Sequence, residues 1–195
     1  MIELRTAVIA IDGYRGSGSD DVARALAERL GLPCYGTDEQ LGEAARISGI
    51  ALRLLKKYAE RNMYAAYDLA AEDYDKIKLP SASALIRAKN SAVLSLARHG
   101  PCVFAGGHAS AALSGVRGAV RIFVRANIGT RASAEGCAAR DVERADKKRR
   151  AYYRQINRAW GTPAFYSLEA DASGTGASDV SERIAEYFSR DENPF

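Results

Sequence analysis

Apolar residues along this chain fall either into short unbroken runs or into stripes at helical spacing. Residues 7–11, 102–105 and 120–124 form near-continuous apolar segments of strand length, 168–171 is a fainter one, and 33–35 a short fifth. Between them the spacing changes. Val22, Leu26 and Leu30 recur every four residues, which predicts a helix over about 19–30. Leu41, Ala44 and Ala45 mark a second helix, Leu52, Leu55 and Ala59 a third, and Leu85, Val93, Leu94 and Ala97 a long fourth. That fourth helix must stop at His99-Gly100-Pro101, and a last one is predicted over about 178–188. Strands that alternate with helices, and are apolar on both faces, predict a parallel sheet covered on both sides. Two regions exceed a simple crossover: about 50–98, which is mostly helical, and about 127–166. We read the chain as one domain with an insertion at the first and a lid at the second.

The first strand runs into Asp12-Gly-Tyr-Arg-Gly-Ser-Gly-Ser-Asp, a glycine-rich turn that opens a helix. This is the setting of a phosphate-binding loop, in which successive backbone N–H groups converge on phosphate oxygens at a helix N-terminus. Gly13 and Gly18 match the glycines of G-x-x-x-x-G-K-[ST], and Gly16 adds another; Gly13, Gly16, Ser17, Gly18, Ser19 and Asp20 form the candidate phosphate site. The Lys and the Ser or Thr of the pattern are replaced by Ser19 and Asp20. A carboxylate about 4 Å from a phosphate charge costs on the order of 4 kcal/mol at an effective dielectric near 20. Two arrangements relieve it: Asp20 binds Mg²⁺ itself, or Arg15 swings in as the substitute cation. Asp12, at the strand end, either holds Mg²⁺ through water or forms the turn.

Charge is concentrated rather than spread. The net charge is +4, yet residues 140–158 alone hold eight Lys or Arg against three acids, so the remainder nets −1. One basic element with two tyrosines is too little to predict a nucleic-acid interface; small-molecule nucleotides need the same field on a smaller scale. Three widely spaced cysteines, Cys34, Cys102 and Cys137, form no C-x-x-C pair and suit a reducing compartment. No apolar run approaches the roughly 20 residues needed to span a bilayer, so the expected location is the cytoplasm, with no membrane partner.

Longer motifs narrow the reading. Gly16-Ser-Gly-Ser-Asp-Asp-Val-Ala, then Ala25-Leu-Ala-Glu-Arg-Leu-Gly-Leu-Pro-Cys-Tyr, resemble the opening of the cytidylate kinase-like family. The likeness continues at Ala44-Ala-Arg-Ile-Ser-Gly-Ile and Gly100-Pro-Cys-Val-Phe-Ala-Gly. It is strongest at Asp146-Lys-Lys-Arg-Arg-Ala-Tyr-Tyr-Arg followed by Trp160-Gly-Thr-Pro-Ala-Phe-Tyr-Ser-Leu, and spans about residues 7 to 171. The resemblance implies an α/β fold, a three-layer P-loop NTPase-type parallel sheet with helical insertion and lid. It also implies transfer of the ATP γ-phosphoryl group, with Mg²⁺, to a nucleoside monophosphate such as CMP. Carried over by position, Arg131, Arg140, Asp146 and Arg149 are lid residues, with Asp146 orienting a neighbouring arginine. Asp38, Tyr152 and Tyr153 are substrate-side candidates, the tyrosines either packing the lid or stacking on a base; His108, after Gly106-Gly107 at the mouth of the parallel sheet, is a fourth, either replacing the missing arginine as a phosphate donor or serving as a core or surface histidine. Asp73 and Asp75, flanking Tyr74 in the insertion, either solvate a loop or contact the acceptor.

Three positions depart from the family pattern. The loop position that is often Arg is Asp20, the Gly-Arg after the third strand is Gly106-Gly107, and the Tyr-Asp-Leu after the tryptophan turn is Tyr166-Ser167-Leu168. These departures leave a second functional reading open beside the kinase: a nucleotide-binding module that transfers no phosphate.

Overall fold

The computed structural model describes residues 7–58 and 80–189. Its centre is a five-stranded sheet with every pairing parallel, in the order β2-β3-β1-β4-β5. The strands are β1 (Val8–Gly13), β2 (Cys34–Tyr35), β3 (Cys102–Ala105), β4 (Val120–Arg125) and β5 (Leu168–Asp171). β1 lies between β3 and β4, which explains why its residues 9–13 are all buried. Side chains alternate across it. Ile9 and Ile11 join Val22, Leu26, Val180, Ile184 and Phe188 on one face, while Ala10 joins Val93, Phe104, Ala109 and Leu113 on the other.

The helices that cover the first face are α1 (Ser19–Leu30) and α8 (Ala177–Ser189). α1 ends on Gly31 in the left-handed conformation (φ 68°), whose N–H reaches the Ala27 and Glu28 carbonyls. The other face is covered by α4 (Ala82–Ala97) and α5 (Gly107–Ala112). Away from the sheet, α2 (Thr37–Ser48) and α3 (Leu52–Lys57) pack on α4 through Leu41, Ala44, Leu55, Leu85 and Ala88. This satellite cluster is the described part of the predicted insertion. Ala59 and the acceptor candidates Asp73, Tyr74 and Asp75 lie outside the described residues.

The predicted lid region divides into α6 (Ile128–Ala134) and α7 (Ala139–Ile156), separated by Gly136 in the left-handed region (φ 59°). A single 3₁₀ turn, Pro163–Phe165, follows. Beneath α7 an aromatic cluster of Phe123, Tyr152, Tyr153, Trp160, Phe165 and Tyr166 fills the space at the C-terminal end of β4. Each such side chain fully buried contributes roughly 1.5–3 kcal/mol of hydrophobic stabilisation. The short α5 after β3 is absent from the apolar pattern because Gly107–Ala112 carries only small residues and a histidine.

Candidate functional site

The C-terminal ends of parallel strands are where open α/β sheets bind ligands; a cleft at the β1 end and a small cavity beside the β3 end lie there. β1 delivers Gly13 into the glycine loop. The loop is crowded where it passes its neighbours: a Cβ on Gly13 would lie 2.7 Å from the Val124 carbonyl oxygen, and one on Gly16 (φ 75°) 2.7 Å from that of Arg131. α1 then starts on Gly18, also left-handed (φ 75°), and no side chain caps it. The first-turn amides are therefore left for a ligand. The Ser17 hydroxyl is buried without a hydrogen-bond partner. Loop and helix start line a cleft of about 910 Å³, faced across the opening by α7 through Ala145, Lys148 and Arg149. Ser19 is buried at its floor and Asp20 is exposed on its wall.

The arginines expected in the lid occupy different places. Arg131 is buried; it donates to Asp146 Oδ2 at 2.7 Å, to the Ala126 carbonyl at 3.1 Å and to the Arg15 carbonyl at 3.4 Å. The expected Asp146–arginine pair thus exists, and its work is to tie α7 to α6 and to the loop backbone. Arg15, the expected substitute cation, points to α6 instead, where its Nε donates to Glu135. Arg140 is exposed at the start of α7 and does not line the cleft.

Asp12 is the most constrained group. It is fully buried, and Oδ2 accepts from Trp160 Nε1 at 2.6 Å and from the Tyr166 hydroxyl at 3.0 Å. Oδ1 accepts from the Gly13 amide at 2.7 Å and faces Arg149 Nη2 at 3.5 Å. Burial raises its pKa, while Arg149 and the three hydrogen bonds act in the opposite direction. Desolvation also pushes the Tyr166 phenol up, and the neighbouring Asp12 carboxylate adds to it. A carboxylate engaged this way presents no open edge to a cation, so the arrangement does not fit Asp12 as a Mg²⁺ ligand. It is a hub joining β1, α7 and the tryptophan turn. The same hub explains the missing arginine after β3: a Cβ on Gly107 would sit 2.7 Å from Asp12 Oδ1 and 2.9 Å from Tyr153 Cζ.

The second cavity is about 40 Å³, lined by Thr37, Gln40, Leu41, Lys89, His108 and Tyr153 beside the β3 end. Lys89 is 5% exposed; its ammonium donates to the Tyr152 hydroxyl at 2.8 Å. Both His108 ring nitrogens are buried without a hydrogen-bond partner. Burial, helped by the Lys89 charge, pushes its pKa down to about 3, so the ring is neutral. Tyr153 stacks on Trp160 with centroids 4.8 Å apart, and the Arg149 guanidinium lies 5.1 Å from the Tyr153 ring. Both tyrosines, which belong to α7, are buried in the aromatic cluster. Asp38 is directed away from the cavity and pairs with Lys56 at 2.7 Å, while its neighbours Thr37 and Gln40 form the wall. Lys89 and Lys148 went unrecognised in the sequence: one was hidden in an apolar helix, the other in a basic run.

No group of three or more potential metal ligands occurs among the described residues, and no described helix is long and apolar enough to cross a membrane.

Comparison with solved structures places the fold. An uncharacterized protein from Eubacterium ventriosum superposes with a TM-score of 0.61 at 18% identity, covering 94% of this chain and 98% of the other. Shikimate kinase from Acinetobacter baumannii, in complex with shikimate, gives 0.56 at 14% identity over 96% and 95%. The shikimate kinase of Aquifex aeolicus gives 0.52 at 15% identity over 93% and 95%. These superpositions show a shared fold, that of P-loop kinases, with helices on both faces of a parallel sheet. No curated protein matches the chain. The cytidylate kinase-like family matches over residues 8–173, from the first residue of β1 to beyond the end of β5. A match over this much of the sheet shows that the chain belongs to the cytidylate kinase-like family.

Proposed function

We propose that this protein is a phosphotransferase that moves the γ-phosphoryl group of Mg-ATP to a nucleoside monophosphate, CMP being the acceptor that the family resemblance favours. The observation that carries this is the cleft: an uncapped helix start and a glycine loop on one wall, and α7 cations on the other. In this reading the backbone of Gly13, Gly16, Ser17, Gly18 and Ser19 takes the donor phosphates. Arg149 lies over them from the lid, Arg140 closes from its outer end, and Arg131 with Asp146 holds the lid to the loop. Asp20 suits Mg²⁺, because it is exposed on the cleft wall and has no ion pair among the described residues. Mg²⁺ commonly takes only one or two carboxylates beside phosphate and water; when bound it would neutralise charge on the transferring oxygens.

Transfer needs little proton chemistry. An oxygen of the acceptor phosphate, already ionised at neutral pH, attacks Pγ; the bond from Pγ to the β-phosphate bridging oxygen breaks, and ADP leaves. Catalysis is then positioning and charge stabilisation. The acceptor lies toward the His108 side, where Tyr153 forms part of the wall and Tyr152 holds Lys89 in place, while Asp38, paired with Lys56, stays outside the cavity. ATP consumption with a panel of nucleoside monophosphates, against hydrolysis without acceptor, tests the reading. Acceptor-dependent formation of ADP and a nucleoside diphosphate is expected. ATP binding without acceptor-dependent turnover would favour the binding module, the reading that Ser19 and Asp20 support.

A further inference from the structure

The cleft holds four cationic side chains, and three are committed to carboxylates. Arg24 donates to Asp21 at 2.7 Å, Arg15 to Glu135, and Arg149 faces Asp12 at 3.5 Å. Lys148 is the fourth. It is exposed, it lines the cleft, and it has no ion pair or hydrogen bond among the described residues. Its place follows from helix geometry. Ala145, Lys148 and Arg149 stand at i, i+3 and i+4, so one face of α7 meets the loop. Lys147 lies off that face and does not line the cleft.

We propose that Lys148 supplies, from the lid, the ammonium charge that the glycine loop lacks, and that it contacts the terminal phosphate of a bound nucleoside triphosphate. The inference rests on the nucleotide-binding half of the function proposed above. A phosphate chain seated on the α1 amides lies between the loop and α7, within the cleft that Lys148 borders. Ammonium suits the role, since a compact charge on a flexible four-carbon stem follows a moving phosphoryl group where a rigid fork fits less well. Placing the cation on the lid rather than in the loop makes its contribution conditional on closure, so water is excluded when the charge arrives. Ser19 at the floor and Asp20 on the wall are then compatible with phosphate binding, because the missing charge enters from above.

The test compares ATP with ADP. Dissociation constants for Mg-ATP and Mg-ADP are measured by calorimetry on the full chain and on Lys148→Met, Lys148→Arg and Lys147→Met, with acceptor-dependent transfer assayed alongside. Wild type should prefer ATP. Lys148→Met should cut that preference by about tenfold or more, the scale of a lost charged hydrogen bond; transfer should fall on the order of 100-fold. Lys148→Arg should keep most of the preference, and Lys147→Met should leave it unchanged. Lys148 is exposed, so the variants should fold, and circular dichroism checks that they do. An ATP preference that survives Lys148→Met, or a wild type without any such preference, overturns the assignment. If wild type shows no transfer but Lys148→Met still erases the ATP preference, the assignment stands and the transfer reading fails.

Discussion

Cleft and cavity lie on either side of the Arg149–Tyr153 contact, and they handle charge by different means. The cleft is large, open and lined by backbone amides and cations, most of which are already balanced by a nearby carboxylate. The cavity is some twenty times smaller and holds one buried lysine and one histidine kept neutral by burial. A phosphate chain carrying several charges suits the first, where exposed side chains rearrange at low cost. Any group entering the second must satisfy fixed, dry partners, so it is selected by hydrogen bonding more than by charge. The wall between them is not passive. Asp12, buried beneath it, binds residues 137, 148 and 154 positions away in sequence, and so couples loop, α7 and tryptophan turn.

Breaking that wall should give the largest effect. Arg149→Met strips the cation from a fully buried carboxylate, which costs about 3–5 kcal/mol of stability, and transfer should fall to background. Asp12→Asn in the same chain removes the orphaned charge and should restore most of the stability without restoring transfer. Urea midpoints of the two single variants and the double variant, with activity measured on each, check both halves. Additive losses in the double variant would mean that the Arg149–Asp12 approach of 3.5 Å contributes nothing.

The parts of the site differ in how far they show in the sequence. The β1–loop–α1 unit is legible because its elements are contiguous: an apolar run, glycines where left-handed turns are needed, then a four-residue stripe. The basic element was visible as charge, and the pairing of Asp146 with an arginine as an expectation. The Asp12 hub was not visible. A strand-end aspartate before glycine reads as a turn former, and nothing in local spacing announces a tryptophan 148 positions later as its partner. Gly107 reads as a lost cation, whereas its crowding by Asp12 and Tyr153 exists only after folding. Lys89 sits among alanines and leucines on an apolar helix, where burial depends on α2 and α7 packing from outside.

A smaller effect tests the dry side of the comparison. His108 has a folded-state pKa of about 3 against an ordinary 6.5, because burial disfavours its charged form. Between those values the unfolded chain binds the extra proton. The stability from a neutral His108 is therefore complete above pH 6.5 and is lost as pH falls toward 3, at no more than about 1.4 kcal/mol per pH unit. His108→Leu should flatten the decline in urea midpoint between pH 6.5 and 5 relative to wild type. The Asp12 contribution has the opposite sign, since its pKa is raised, but it is common to both proteins and drops out of the difference. Parallel curves would place a polar, hydrated environment around the ring and remove the contrast between the two sites.

The smallest expected effect falls on the open side, at Arg15. The sequence offers it as the loop's substitute cation, yet its side chain is 61% exposed and bound to Glu135, an ion pair worth roughly 0–1 kcal/mol at such a surface. What the loop needs from this residue is its carbonyl oxygen, which Arg131 Nη1 holds at 3.4 Å and which alanine keeps. Arg15→Ala should therefore shift ATP affinity by less than about fivefold, equivalent to 1 kcal/mol, and leave the urea midpoint nearly unchanged. Lys148→Met, measured beside it, should do much more. If Arg15→Ala instead abolished ATP preference and Lys148→Met did not, Arg15 would have to leave Glu135 when nucleotide arrives. The charge would then come from the loop after all, and the lid would serve to exclude water rather than to deliver a cation.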